Sequence, residues 1–201
     1  MPGGMPGSRI AGFVARCDTI DGVLAERAAR RTHSSGSEAG NYPSMTHKEF
    51  TSYFHPEFFI ADLKATSKDK AIEEIVAHLV ERRQIKNGTV VVEALKKRES
   101  LGSTGIGKSL AIPHGRTTVT GKLTVAYARS IAGISWESID HKPVHFIFLI
   151  LAPHQEKENH YLPLLGKIVE FARDAAVRKR LLKVETHEEL LGVLDGAKAA
   201  S

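Results

Sequence analysis

Cysteine occurs once in this chain, at Cys17, so no disulfide can close within it. A reducing compartment suits that usage. Long apolar runs are missing too. The longest, Phe146 to Ala152, falls far short of the roughly 20 residues that a membrane-spanning helix needs. Near the N-terminus, Ile10 to Ala15 is too brief for the apolar segment of a signal peptide, and Arg30-Arg31 runs into polar Thr32-His33-Ser34-Ser35. The expected location is the cytoplasm, without direct membrane insertion. Acidic clusters of metal-binding type and internal repeats are not visible, so no metal and no cofactor is expected. A formal charge of +5 and a pI near 9.3 invite a nucleic-acid partner. However, most Lys and Arg residues are interleaved with Asp and Glu, and the densest basic run is only Arg178-Lys179-Arg180. Such a surface suits an acidic protein better than nucleic acid.

A hydrophobic content of 42% supports a real core, and 201 residues give room for one domain plus an extension. Residues 1–47 open with Met-Pro-Gly-Gly and later run through Ser34-Ser35-Gly36-Ser37, a composition expected to stay flexible, with one short helix over Asp18–Arg31. The domain is expected over 48–196, followed by a tail at 197–201. Within it Phe58–Leu63 reads as a strand. Thr66 or Ser67 then caps a helix whose apolar residues Ile72, Ile75, Val76, Leu79 and Val80 keep a 3.6-residue spacing. Thr89–Arg98 reads as a second helix. Leu110–Ile112, Leu123–Arg129 and Val144–Leu151 read as strands, the last apolar enough to be covered on both faces. Helices are expected over His160–Arg173, Asp174–Leu182 and Thr186–Leu194. This interleaving implies a three-layer α/β domain.

The chemistry concentrates between Arg98 and Arg116. Glycines in Gly102-Ser103-Thr104-Gly105-Ile106-Gly107 bring backbone N–H groups close to an anion. Ser103, Thr104 and Gly105 are the expected phosphate donors, and Arg98 supplies a cation with a fixed fork of N–H groups. Glu99 is placed either to orient a ring nitrogen, to brace Arg98 or to form a structural ion pair. His114, on a Pro-His-Gly corner, is the reacting group, because imidazole is both a good nucleophile toward phosphorus and a good leaving group. The loop expected to frame a phosphoryl group on it also satisfies the Walker A pattern, Gly102 to Ser109. Yet a P-loop needs a strand before and a helix after. Here a helix precedes, Pro113 follows, and Val144–Leu151 ends without an Asp for Mg²⁺. ATP binding is not expected. Among the other histidines His160 stands out: with Asn159 as N-cap and Pro163 in the first turn, it lies at the positive end of a helix.

The stretch reading Arg98-Glu99, Leu101 to Gly107 and Ala111 to Arg116 resembles the signature of fructose/mannitol-type enzyme IIA domains of the bacterial sugar phosphotransferase system, a group that includes the nitrogen-regulatory IIA proteins. The resemblance extends from about Phe50 to about Leu194. Two departures are Lys108-Ser109, where the family usually has Asn-Gly, and Pro163, close after the second histidine. The resemblance implies a mixed sheet flanked by helices, phosphorylation of His114 by the phosphohistidine of HPr, and His160 beside it as a stabiliser. No Mg²⁺ is needed when the incoming phosphate is already activated. The onward partner would be a regulatory target protein, which the nitrogen-type wording favours, or the cysteine of a IIB domain in sugar transport. A docking protein whose phosphorylation is read without onward transfer is the third reading.

Overall fold

Thr46 opens the described part of the fold with a capping box. Its hydroxyl accepts from the Glu49 N–H, and the Glu49 carboxylate accepts from the Thr46 N–H at 2.7 Å. The structure is a computed structural model in which residues 45–196 are described; the expected Asp18–Arg31 helix, the extension up to residue 44 and the tail lie outside them. Helix α1 (His47–Ser52) leads into β1 (Phe54–Ile60). That strand begins and ends before the expected Phe58–Leu63. Pro56 is tolerated inside it because β1 is an edge strand, where a missing N–H breaks no ladder bond on the open side.

Helices α2 (Lys68–Glu81) and α3 (Gly88–Ser100) follow. Next come β2 (Gly105–Gly107), β3 (Leu110–Ala111), β4 (His114–Thr117), β5 (Thr124–Ile134) and β6 (Val144–Pro153). The chain continues through α4 (Tyr161–Phe171), α5 (Ala175–Leu181) and α6 (His187–Gly196). The six strands form one mixed sheet in the order β1-β5-β6-β3-β2, with β4 also on β6. β1 runs parallel to β5, β5 antiparallel to β6, and β3 and β4 both parallel to β6.

The two faces of β6 define the layers. Ile147, Leu149 and Leu151 join one cluster with Ile72, Ile75, Val76 and Leu79 of α2 and Val91 and Leu95 of α3. Phe148 points the other way, as strand periodicity demands, and packs edge-on against Phe54 and Tyr127. Helix α4 contributes buried Leu164, Leu165 and Ile168. Each such side chain contributes about 1.5–3 kcal/mol on leaving water.

β3 and β4 are one strand interrupted. Leu110 pairs with Phe146 and His114 with Ile150, so the register does not change across the gap. Pro113 has no N–H to give the ladder, although its carbonyl still accepts from Ile150 at 2.9 Å. The Ile112 N–H faces the β2 side and donates to the Thr104 carbonyl at 3.0 Å.

β2 and β3 form a hairpin with Lys108-Ser109 at its tip, both at positive φ (55° and 66°). A two-residue turn of this kind favours Asn-Gly. Asp140 props it, one carboxylate oxygen accepting from the Lys108 N–H at 2.7 Å and the other from the Lys142 N–H at 3.1 Å. The Lys108 N–H holds the Asp140 carboxyl below its ordinary 3.8. This support is present at neutral pH and is lost as the pH falls through the folded value. The double substitution Lys108→Asn with Ser109→Gly is expected to stabilise the fold by about 1 kcal/mol, by relieving the left-handed backbone. Denaturant unfolding would show it as a higher midpoint at unchanged slope.

Candidate functional site

His114 is the first residue of β4 and is only 1% exposed. Its Nδ1 lies 2.7 Å from the Ile112 carbonyl. A carbonyl only accepts, so Nδ1 carries the proton and Nε2 carries the lone pair of the neutral ring. The tether to Ile112 is itself held. Ile112 donates to Thr104, and the Thr104 N–H and hydroxyl donate to the Glu99 carboxylate at 3.1 Å and 2.5 Å. Glu99 sits in the last turn of α3. A continuous relay of hydrogen bonds therefore connects that helix to the ring of His114.

That relay defines the part Glu99 plays locally. It is 7% exposed, and its partners are Thr104 and the Lys68 ammonium at 3.7 Å. It makes no direct hydrogen bond to a histidine ring or to Arg98, and reaches His114 only through Thr104 and Ile112. The loop hydroxyls are likewise engaged within the protein. Trp136, fully buried, donates its indole N–H to the Thr104 hydroxyl at 3.3 Å, and the Ser103 hydroxyl donates to the Trp136 carbonyl at 3.3 Å. The Gly105 N–H donates to Ser103 at 3.1 Å. A Cβ on Gly105 would lie 2.7 Å from the Ser138 hydroxyl and 2.9 Å from the Trp136 ring, so the glycine there allows close packing. Ser103, Thr104 and Gly105, expected as phosphate donors, are in this structure braces of the loop. The hairpin tip is also remote from His114. It lies beside His145 and Phe146 at the start of β6, whereas His114 pairs with Ile150, about 13 Å further along the strand. The Walker-like stretch thus has a helix before it and itself folds into the β2 arm and tip of a hairpin, and that tip does not frame His114.

Arg98 occupies the last turn of α3. Its Nη1 donates to the Gly102 carbonyl at 3.0 Å, and its Nε is buried without a hydrogen-bond partner. An unsatisfied buried donor costs about 1–3 kcal/mol, which an anion placed against it would recover.

Tyr161 brings two further residues together. Its ring is 6.2 Å from that of His114, and the Arg116 guanidinium lies 4.8 Å from its centroid. Arg116 also donates to the carbonyls of Pro153 and His154. His114 and Arg116 are two apart on β4 and so share a face. That spacing was the available sequence signal for Arg116. Nothing in the sequence pointed to Tyr161.

His160 precedes Tyr161 and is the N-cap of α4. The expected cap, Asn159, has φ of 53° and stands outside the helix. Capping falls instead to Glu156, whose carboxylate accepts from the N–H groups of His160 (2.9 Å) and Tyr161 (3.1 Å). The His160 ring is engaged by Tyr53: Nδ1 to hydroxyl 2.7 Å, rings 6.1 Å apart and near perpendicular.

A mixed α/β domain thus holds one oriented imidazole, a cation with a buried donor to offer, and a second histidine at a helix start. Residues 52–196 match the family described as "Phosphoenolpyruvate-dependent sugar phosphotransferase system, EIIA 2", and the chain belongs to that family. It is 35% identical over 139 residues to the nitrogen regulatory protein of Bradyrhizobium diazoefficiens, covering 69% of this chain and 90% of that one. It is 34% identical over 128 residues to the PTS system fructose-specific EIIA component of Haloferax volcanii, covering 64% and 82%. The chain spans only 21% of the longer fructose-specific EIIABC component of Bacillus subtilis, which it also matches. Among solved structures, the nitrogen regulatory protein IIA-Ntr from Neisseria meningitidis superposes with a TM-score of 0.66 at 32% identity, over 72% of this chain and 97% of that one. The mixed sheet and flanking helices expected from the sequence are those of this family.

Proposed function

We propose that this chain is a phosphoryl carrier that accepts phosphate from phospho-HPr on Nε2 of His114. The observation that carries the reading is the 2.7 Å contact between Nδ1 and the Ile112 carbonyl, which leaves the lone pair on Nε2. That pair attacks phosphorus, the donor's P–N bond breaks, and its electrons return to the donor imidazole. Positive charge developing on the His114 ring is stabilised through Nδ1–H by the Ile112 carbonyl. The buried Nε of Arg98 and the ring of His160 are the groups proposed to meet the phosphoryl oxygens. Because His114 is 1% exposed, acceptance includes a local parting of the groups around its ring.

The nitrogen-regulatory role is the reading we favour. Its support is the match to a nitrogen regulatory protein over 90% of that protein's length and the likeness to IIA-Ntr. The acceptor would then be a regulatory target protein. The second reading is a sugar-specific IIA that hands the phosphate to a IIB cysteine, supported by the fructose-specific relative.

Incubation with phosphorylated HPr, followed by mapping of the acid-labile phosphate, tests the carrier role, and addition of a IIB domain tests onward transfer. Phosphate on any residue other than His114 would refute the assignment. His160→Ala is expected to slow acceptance without eliminating it. Loss of one stabilising donor costs about 2.7–4 kcal/mol at the transition state, a rate factor of about 10²–10³. Wild-type kinetics in that variant would return His160 to an ordinary helix-start histidine.

A further inference from the structure

Tyr53 stands far from the signature in the sequence, yet its hydroxyl makes the closest side-chain contact of His160, 2.7 Å from Nδ1. Both partners are fixed at their backbones. Tyr53 is the C-cap of α1, its N–H bound to the Phe50 carbonyl at 3.3 Å, and His160 is held by Glu156. The phenol keeps its proton: burial first, then the carboxylates of Glu158 and Glu156, push Tyr53 up to about 12. It has only one proton to give. The Glu158 carboxylate, largely exposed, lies 3.4 Å from the hydroxyl and 3.7 Å from Nδ1 of His160, whereas the hydroxyl and Nδ1 are 2.7 Å apart, on a ring whose side chain is 14% exposed. The shorter, more sheltered bond takes the proton.

We propose that Tyr53 is a positioning residue for phosphoryl transfer: by donating to Nδ1 of His160 it fixes the tautomer in which Nε2 of that ring carries the proton. A neutral imidazole has one donor and one acceptor nitrogen. In the fixed tautomer Nε2–H, on the far side of the ring from Tyr53, is a donor for a phosphoryl oxygen. In the other tautomer Nε2 would turn a lone pair toward that oxygen and repel it. The arrangement mirrors His114, where a carbonyl holds Nδ1–H and leaves Nε2 nucleophilic. Two histidines are thereby set to opposite tautomers, one to attack and one to donate. The inference rests on the reading of His160 as a partner of the phosphoryl group.

Nitrogen-15 NMR of the full chain, labelled at histidine, tests the tautomer without any transfer assay. The expected spectrum has His160 protonated at Nε2 and unprotonated at Nδ1, and Tyr53→Phe mixes the two forms. Kinetically, Tyr53→Phe is expected to lower the maximal rate of acceptance from phospho-HPr about tenfold, the worth of one hydrogen bond, with KM unchanged. In a His160→Ala background the same substitution should add nothing, because Tyr53 acts through that ring. A His160 protonated at Nδ1 in the unsubstituted chain overturns the proposal, as does an equal slowing by Tyr53→Phe with and without His160. If the chain takes no phosphate at all, the functional reading fails, while the nitrogen spectrum still decides the tautomer.

Discussion

Replacing His114 with alanine is expected to abolish acceptance of acid-labile phosphate from phospho-HPr while leaving the fold in place. No other nucleophile is held at that strand start, and a stabilising donor elsewhere cannot form the P–N bond. The structural cost is bounded. The ring's tether to the Ile112 carbonyl is lost, worth about 1 kcal/mol, and a buried space opens beside Tyr161. The sheet register around it is set by backbone bonds to β6 that alanine keeps. Circular dichroism and denaturant unfolding should therefore report a native variant, and the phosphate assay an inert one. A His114→Ala chain that still takes acid-labile phosphate at the normal rate would dismiss His114 as the nucleophile.

The largest loss of stability is expected at Glu99. Its buried carboxylate accepts from the Thr104 N–H and the Thr104 hydroxyl and lies 3.7 Å from Lys68. Thr104 is itself 1% exposed, so water cannot readily replace the missing acceptor. Leaving two donors unsatisfied, each at about 1–3 kcal/mol but not additive, predicts that Glu99→Ala destabilises by about 3 kcal/mol. The effect should reach the chemistry, because the Thr104 carbonyl anchors Ile112, whose own carbonyl holds the His114 ring. Glu99→Gln, which keeps an acceptor oxygen, should lose much less. A Glu99→Ala chain unfolding within about 0.5 kcal/mol of the unsubstituted one, as surface changes do, would mean that the relay carries no weight.

Much of the architecture was legible because it is written in periodic patterns. The spacing from Ile72 to Val80 marked α2, and the apolar run from Val144 marked β6. Helix α1 escaped because six residues are too few for a period to appear; its cue was the capping box of Thr46 and Glu49. β5 runs on to Ile134, beyond the expected Arg129, across a register shift that breaks the alternation a reader follows. The chemistry of His114 was legible from residue types on a constrained corner. The use of Ser103 and Thr104 was not, since a sequence shows that hydroxyls are present but not that Trp136 and Glu99 claim them. The capping of α4 was missed for a different reason: Glu156 accepts from N–H groups four and five residues further on, a longer spacing than that of a capping box.

The unbroken register from β3 into β4 has a bearing on how such a domain can diverge. The hairpin tip at Lys108-Ser109 sits at the surface end of a two-strand excursion, so chain length there can drift with little consequence for the site. Between Ala111 and His114 there is no such slack. One inserted or deleted residue would have to be absorbed by slipping β4 against β6, and a slip of one turns every side chain of a strand to the opposite face. His114 and Arg116 would leave Tyr161 together. Substitutions can be absorbed around the two residues Ile112 and Pro113, but the spacing they set between the ladder and the histidine cannot change without that slip.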